Sequence, residues 1–146
     1  MDRFEFAGRH ETDSGLVVIS GYIDVMHEKR TQEYATPLKG IMEWHGQRML
    51  KDTFHGDLVQ MLLSAPPTIE MWLDQYKGFY RFENPKASKD GLSFTGIYTD
   101  MKKVKSLPLF GMEFSIGRPE GSVDAALLVK RPADYSANKW LTALLE

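Results

Sequence analysis

The sequence predicts an α+β fold, mainly an antiparallel β-barrel or sandwich with one short internal helix and a C-terminal helix. Three observations carry this: apolar residues alternate with period two along most of the chain, turn residues separate the alternating runs, and in two places the spacing becomes helical. From Val17 to Val25 the odd positions Val17, Ile19, Ile23 and Val25 are apolar, with Ser20 and Asp24 among their neighbours. Leu92, Phe94 and Tyr98 alternate after Asp90-Gly91. Phe110, Met112, Phe114 and Ile116 form another such face, and Val123, Ala125, Leu127 and Val129 a last one. Shorter runs at Phe4/Phe6, Met42/Trp44 and Ile69/Met71/Leu73 complete the set of strands.

Asp13-Ser14-Gly15 precedes the long strand, Pro66-Pro67 ends whatever comes before it, and Arg118 to Ser122 joins the last two strands. Asn84-Pro85 through Asp90-Gly91 reads as a polar hairpin loop. His27 to Glu33 reads as the charged tip of a long hairpin between Tyr22 and Trp44. The internal helix is expected over Thr53–Ser64, where Phe54, Leu58, Met61 and Leu62 keep helical spacing behind a Thr53 cap. The terminal helix is expected after Ser136, with Trp140, Leu141, Leu144 and Leu145 as its apolar stripe.

With 146 residues, 18 Lys plus Arg against 20 Asp plus Glu, and no Cys, the chain is expected to be a single near-neutral domain, 1–146. The missing thiols exclude disulfide scaffolds, thiolate metal sites and cysteine nucleophiles. Acidic residues interrupt the apolar ones at the N-terminus, unlike a signal peptide, and the run Leu58 to Ala65 is too short to span a membrane as a helix. No membrane partner is expected.

The four histidines are the first candidates for catalysis. His10-Glu11-Thr12 matches the H-x-T element of two-histidine phosphoesterases, but that chemistry needs two such elements, and His27, His45 and His55 lack the hydroxyl residue. His10 then reads as a loop histidine in solvent. Glu43 and His45 share one strand face, and with His55 and Asp57 two pairs would make a metal site, although exposed residues on a polar strand face are the commoner arrangement. No P-loop, H-E-x-x-H or G-x-S-x-G is present, so neither an enzyme nor a metal or other cofactor is expected.

Residues 77 to 105 hold seven basic side chains against three acidic ones, interleaved with Phe79, Tyr80, Phe82, Phe94 and Tyr98. Such a strip would suit stacking on bases, but alternating aromatics are more often core. Lys77-Gly78-Phe79 opens like an RNA-recognition element and then departs from it. A calyx for a small apolar ligand is a further reading: eight Met and eight Phe suit a cavity and a packed core alike.

The order of elements (Gly15 to Met26, Leu38 to Trp44, Leu58 to Leu63, Ile69 to Phe82, Leu92 to Tyr98, Phe110 to Ile116) resembles the tube-forming β-barrels of phage tails and of contractile or type VI secretion systems. The Trp140 stripe has no counterpart in that pattern and points to a related terminator or baseplate ring. The resemblance implies a non-enzymatic, self-assembling ring subunit in a virion or the cytoplasm, with other structural proteins as partners and nucleic acid only as passive cargo of the lumen. Leu16, Val18, Tyr22 and Met26 would supply its second apolar face. The rival readings are an inhibitor or immunity-type protein and the ligand-binding barrel. The residues expected at an oligomer or partner interface are Lys29, Arg30, Glu33, Tyr34, Lys86 and Lys89.

Overall fold

A computed structural model describes residues 2–25, 34–46, 49–60, 66–103 and 121–132. They form eight strands: β1 (Asp2–Thr12), β2 (Gly15–Val25), β3 (Tyr34–His45), β4 (Met49–Gln60), β5 (Thr68–Leu73), β6 (Gly78–Ala87), β7 (Gly91–Asp100) and β8 (Ser122–Lys130). Each pairs antiparallel with the next in sequence, and β8 returns to pair with β1, closing the barrel. A closed ring leaves no strand edge unpaired.

The even residues of β1, β3, β4, β6 and β7 point inward, as do the odd residues of β2, β5 and β8. Phe4, Phe6, Ile19, Ile23, Phe54, Ile69, Met71, Phe82, Phe94 and Val129 are almost wholly buried in one core. Outward positions carry Arg3, Glu5, Arg9, Lys39, Lys51, Asp57, Glu70 and Arg81, the reverse of a lipid-facing barrel. Among the described residues no helix is long and apolar enough to cross a membrane.

The strands are staggered. A walk along opposed residues from Phe4 through Ile23, Leu38, Gly56, Met71, Tyr80 and Tyr98 ends at Val123, beyond the residue that faces His10. Eight tilted strands enclose a space that side chains can fill or that one small ligand can occupy. Gly21 and Gly40 face each other across β2 and β3, and their missing side chains leave room for the rings of Phe6 and Phe54, which pack 5.9 Å apart.

The expected α+β class is therefore corrected. Among the described residues the helical structure is one 3₁₀ turn, Met101–Lys103, and the sheet is a closed barrel rather than a sandwich. The internal helix does not form: residues 53–60 belong to β4, and Met61 to Ser64 lie outside the described residues. Phe54 and Leu58 are four apart, a spacing that fits both a helix face and every second inward position of a strand. Two inward residues between and before them hid the alternation. Gly56 carries no apolar side chain, and Asp52 is a buried carboxylate. A Cβ at Gly56 would lie 1.9 Å from the Glu70 carbonyl oxygen, so β4 and β5 approach closely there.

The other described strand readings agree with the structure. The 84–91 loop is shorter than expected: Asn84-Pro85 forms an irregularity within β6, with Asn84 at φ 56°, and the turn is confined to Ser88–Asp90. The Phe110 to Ile116 strand, the charged tip His27 to Glu33 and the helix after Ser136 lie outside the described residues.

Candidate functional site

One end of the barrel opens as a cup of about 510 Å³. Its lip is built by the β1–β2 turn at Asp13-Ser14, the ends of β3 and β4, residues 74–77 between β5 and β6, and the junction of β7 with β8. The volume falls in the range of small-molecule sites, roughly 300–1,000 Å³. Val17, Met42, Leu50, Leu73 and Val123 give it apolar walls. Trp44, Tyr76, Tyr80 and Tyr98 give it aromatic ones.

His10 is the polar centre of the cup. It continues the inward parity of Phe4 and Phe6 and is only 3 % exposed. Its ring stacks on Tyr98, with centroids 4.5 Å apart and planes 14° apart, and its Nε2 shares a 2.9 Å hydrogen bond with the Tyr80 hydroxyl. Tyr80 and Tyr98 are opposed across β6 and β7, which brings all three rings together. Gly78 makes room for them, since a Cβ there would lie 2.5 Å from the Tyr98 hydroxyl.

Burial pushes the His10 imidazole down to about 4, so it is neutral at pH 7. Burial also raises Tyr80 well above the usual tyrosine value, and Tyr98 is pushed up to about 12 by burial and by the Asp100 and Asp52 carboxylates. All three rings are held uncharged.

Trp44 stands beside this centre. His10 faces Val17 on β2, and Val17 faces Trp44 on β3, so the two nitrogen-bearing rings share one row two strands apart, roughly 10 Å between backbones. Both retain a buried ring nitrogen with no hydrogen-bond partner among the described residues: Nδ1 of His10 and Nε1 of Trp44. Buried polar atoms are nearly always satisfied, and each exception calls for an explanation. The Trp44 nitrogen lies under the lip, where a Cβ on Gly46 would be 3.3 Å away.

Asp52 fixes the opposite lip. Its buried carboxylate accepts from the backbone N–H groups of Thr53, Gln75 and Tyr76 at 2.8–3.2 Å, which holds the 74–77 turn and places Tyr76 on the cup. The charged lining residues Glu11, Asp13, Lys77, Asp100 and Lys102 lie at the mouth, where strands end.

The sites expected from sequence fall elsewhere. His10 is corrected: it is not a loop histidine in solvent but a strand residue buried in the cup. The signal for it was present in its shared parity with Phe4 and Phe6. Of the two metal pairs, His45 and Glu43 sit 3.9 Å apart, while His55 turns to Asp74 and lies opposite Lys39, away from Glu43. Among the described residues no group of three ligating side chains forms. Of the aromatics weighed for base stacking, Tyr80, Phe82 and Phe94 point into the barrel, and Phe79 is buried against Trp72 on the outside. Arg81 from the basic strip is held by Glu70 and Glu83.

Lys86 and Lys89 are exposed on the β6–β7 hairpin, at the barrel end opposite the cup. Tyr34 starts β3 at that same end, facing Gln60. Lys29, Arg30 and Glu33 lie outside the described residues.

The described residues form an eight-stranded antiparallel meander barrel with an aromatic cup at one end. No known protein family, curated protein or solved structure matches it.

Proposed function

We propose that this protein binds a small organic molecule in the cup of the barrel. One observation carries the reading: a cavity of about 510 Å³, within the range of small-molecule sites, is walled by Val17, Met42, Leu50, Leu73 and Val123 and by the rings of Trp44, Tyr76 and Tyr98. Proton transfer is disfavoured as the role of the site, because its imidazole is too weak a base and its phenols too weak acids near neutral pH. Native mass spectrometry of the protein as purified, with thermal shift against a small-molecule panel, tests the reading. A stoichiometric bound mass or a saturable rise in Tm supports it; neither, across the panel, overturns it.

A second reading, assembly into a ring or tube of the phage-tail type, draws on a different observation. Val18, Tyr22 and Ile41 are exposed on the outer face of β2 and β3, the face expected to meet a neighbour. Arg3 lies over the Tyr22 ring, 5.0 Å from its centroid, and covers part of that patch. Because the barrel is closed, such assembly would proceed face to face rather than by strand addition. Light scattering across concentration tests it. Rings or polymers that dissociate in a Val18→Ser, Ile41→Ser variant support it; a strict monomer overturns it.

A further inference from the structure

The outer face of β1, β2 and β3 carries a charge pattern that complements itself. In register across the three strands, the outward residues form three rows: Glu5, Tyr22 and Lys39; then Ala7, Ser20 and Ile41; then Arg9, Val18 and Glu43. Around this grid the corners alternate in sign, from Glu5 to Lys39 to Glu43 to Arg9, and the residues between them are uncharged. We propose that this face docks a second copy of the chain in a closed two-fold pair. The inference rests on the face named in the assembly reading above, but on neither a ring nor a tube.

The charges select the occupant. When two copies pack face to face about a two-fold axis lying across the strands, each row meets the row from the other side of that axis. The row of Glu5, Tyr22 and Lys39 then faces the partner's Arg9, the partner's Val18 and the partner's Glu43. Each charged corner meets its opposite, and the symmetry repeats every pair. A face of one sign would repel its own copy, whereas this one is matched by itself.

The uncharged residues select the axis. Val18, Tyr22 and Ile41 are 37 %, 42 % and 43 % exposed. An axis across the strands sets Tyr22 against the partner's Val18, large against small, and Ile41 against the partner's Ile41, which keeps the gap between the faces even. An axis along β2 would also match the charges, but it would set Tyr22 on the partner's Tyr22 and prop the faces apart at that end. Arg3 does not spoil the match: its guanidinium, 5.0 Å from the Tyr22 ring centroid, is paired with Asp24 and adds no net charge.

Contact of one face with itself uses that face up on both copies, so growth stops at two. The grid spans roughly 10 Å across its strands and roughly 14 Å along them. That is a smaller footprint than the roughly 800 Å² per partner of a standard interface, which makes the pair a weak, concentration-dependent one.

Sedimentation velocity of the whole chain across concentration and ionic strength tests this. The expected result is a monomer–dimer equilibrium that saturates at two copies and weakens as salt is added. Lys39→Glu should weaken the pair by about tenfold or more, because the symmetry sets like charges together at both Lys39 positions. Adding Glu43→Lys to the same chain restores opposite charges across the axis and should recover the dimer. A parent protein that stays monomeric at every concentration overturns this inference and the assembly reading together. Growth beyond two copies overturns the pair and leaves the assembly reading standing. A dimer indifferent to salt or to Lys39→Glu, or one that the double exchange fails to recover, overturns the placement on this face. Saturation and salt dependence of the unaltered protein decide the matter even where a variant fails to fold.

Discussion

His10 and Tyr80, 70 residues apart in the chain, meet inside the barrel through a 2.9 Å hydrogen bond between Nε2 and the phenol oxygen. Neither ring has a solvent alternative, because both are buried. Tyr80→Phe should therefore cost about 1–3 kcal/mol by leaving Nε2 unsatisfied. The double variant His10→Phe, Tyr80→Phe should lose less than the two single changes combined. Urea unfolding of the four proteins gives the coupling, and strict additivity would mean that the bond contributes nothing.

The same burial makes stability depend on pH in a defined window. The folded imidazole titrates at about 4 and the unfolded one near the ordinary 6.5, so between these values the unfolded chain binds the extra proton. The contribution of His10 is intact above pH 6.5 and is lost as the pH falls toward 4, up to about 3 kcal/mol. Thermal unfolding from pH 4 to pH 7 should show this fall, and His10→Phe should flatten it relative to the parent. Equal slopes in the two proteins would place His10 in solvent.

Asp52→Ala should loosen the lip before it unfolds the barrel. It leaves the amides of Gln75 and Tyr76 without their acceptor, at a cost of about 2 kcal/mol. Hydrogen exchange at these two amides should speed up more than exchange in β1 or β2, and Asp52→Asn, which keeps one acceptor oxygen, should show the smaller change.

Gly56→Ala separates strand from helix by the sign of its effect. In a helix the change would stabilise by about 0.5–1 kcal/mol. In the barrel the new methyl meets the Glu70 carbonyl, and the expected result is a loss of about 1–3 kcal/mol in denaturant unfolding.

Reversing charge at Lys86 and Lys89 should leave small-molecule binding in the cup unchanged, since both sit at the opposite end of the barrel. A change in native mass by light scattering would assign that hairpin to an interface between copies; a change in small-molecule affinity would contradict the separation of the two ends.

Most of the barrel was legible because its strands bury one face. Val17 to Val25 and Val123 to Val129 announce themselves by alternation, which needs no knowledge of neighbours. β4 was not legible, because a glycine and an aspartate occupy inward positions for reasons that lie in other strands. Gly56 answers the nearness of β5, and Asp52 answers the amides of the 74–77 turn. The cup was less legible still. Tyr80 and Tyr98 could be read as core, but His10 matched a catalytic triplet by chance and Trp44 looked like one more apolar strand residue.

Residue type and near neighbours alone fix the alternation of β1, β2, β5, β7 and β8, the turn at Asp13-Ser14-Gly15 and the lack of thiol chemistry. Closure of the sheet, the strand conformation of Thr53 to Gln60 and the gathering of His10, Tyr80, Tyr98 and Trp44 around one cavity came from the fold. Closure and stagger depend on which residues face each other across strands distant in the chain, and those pairings set burial, and through burial the charge state of His10, Tyr80 and Tyr98.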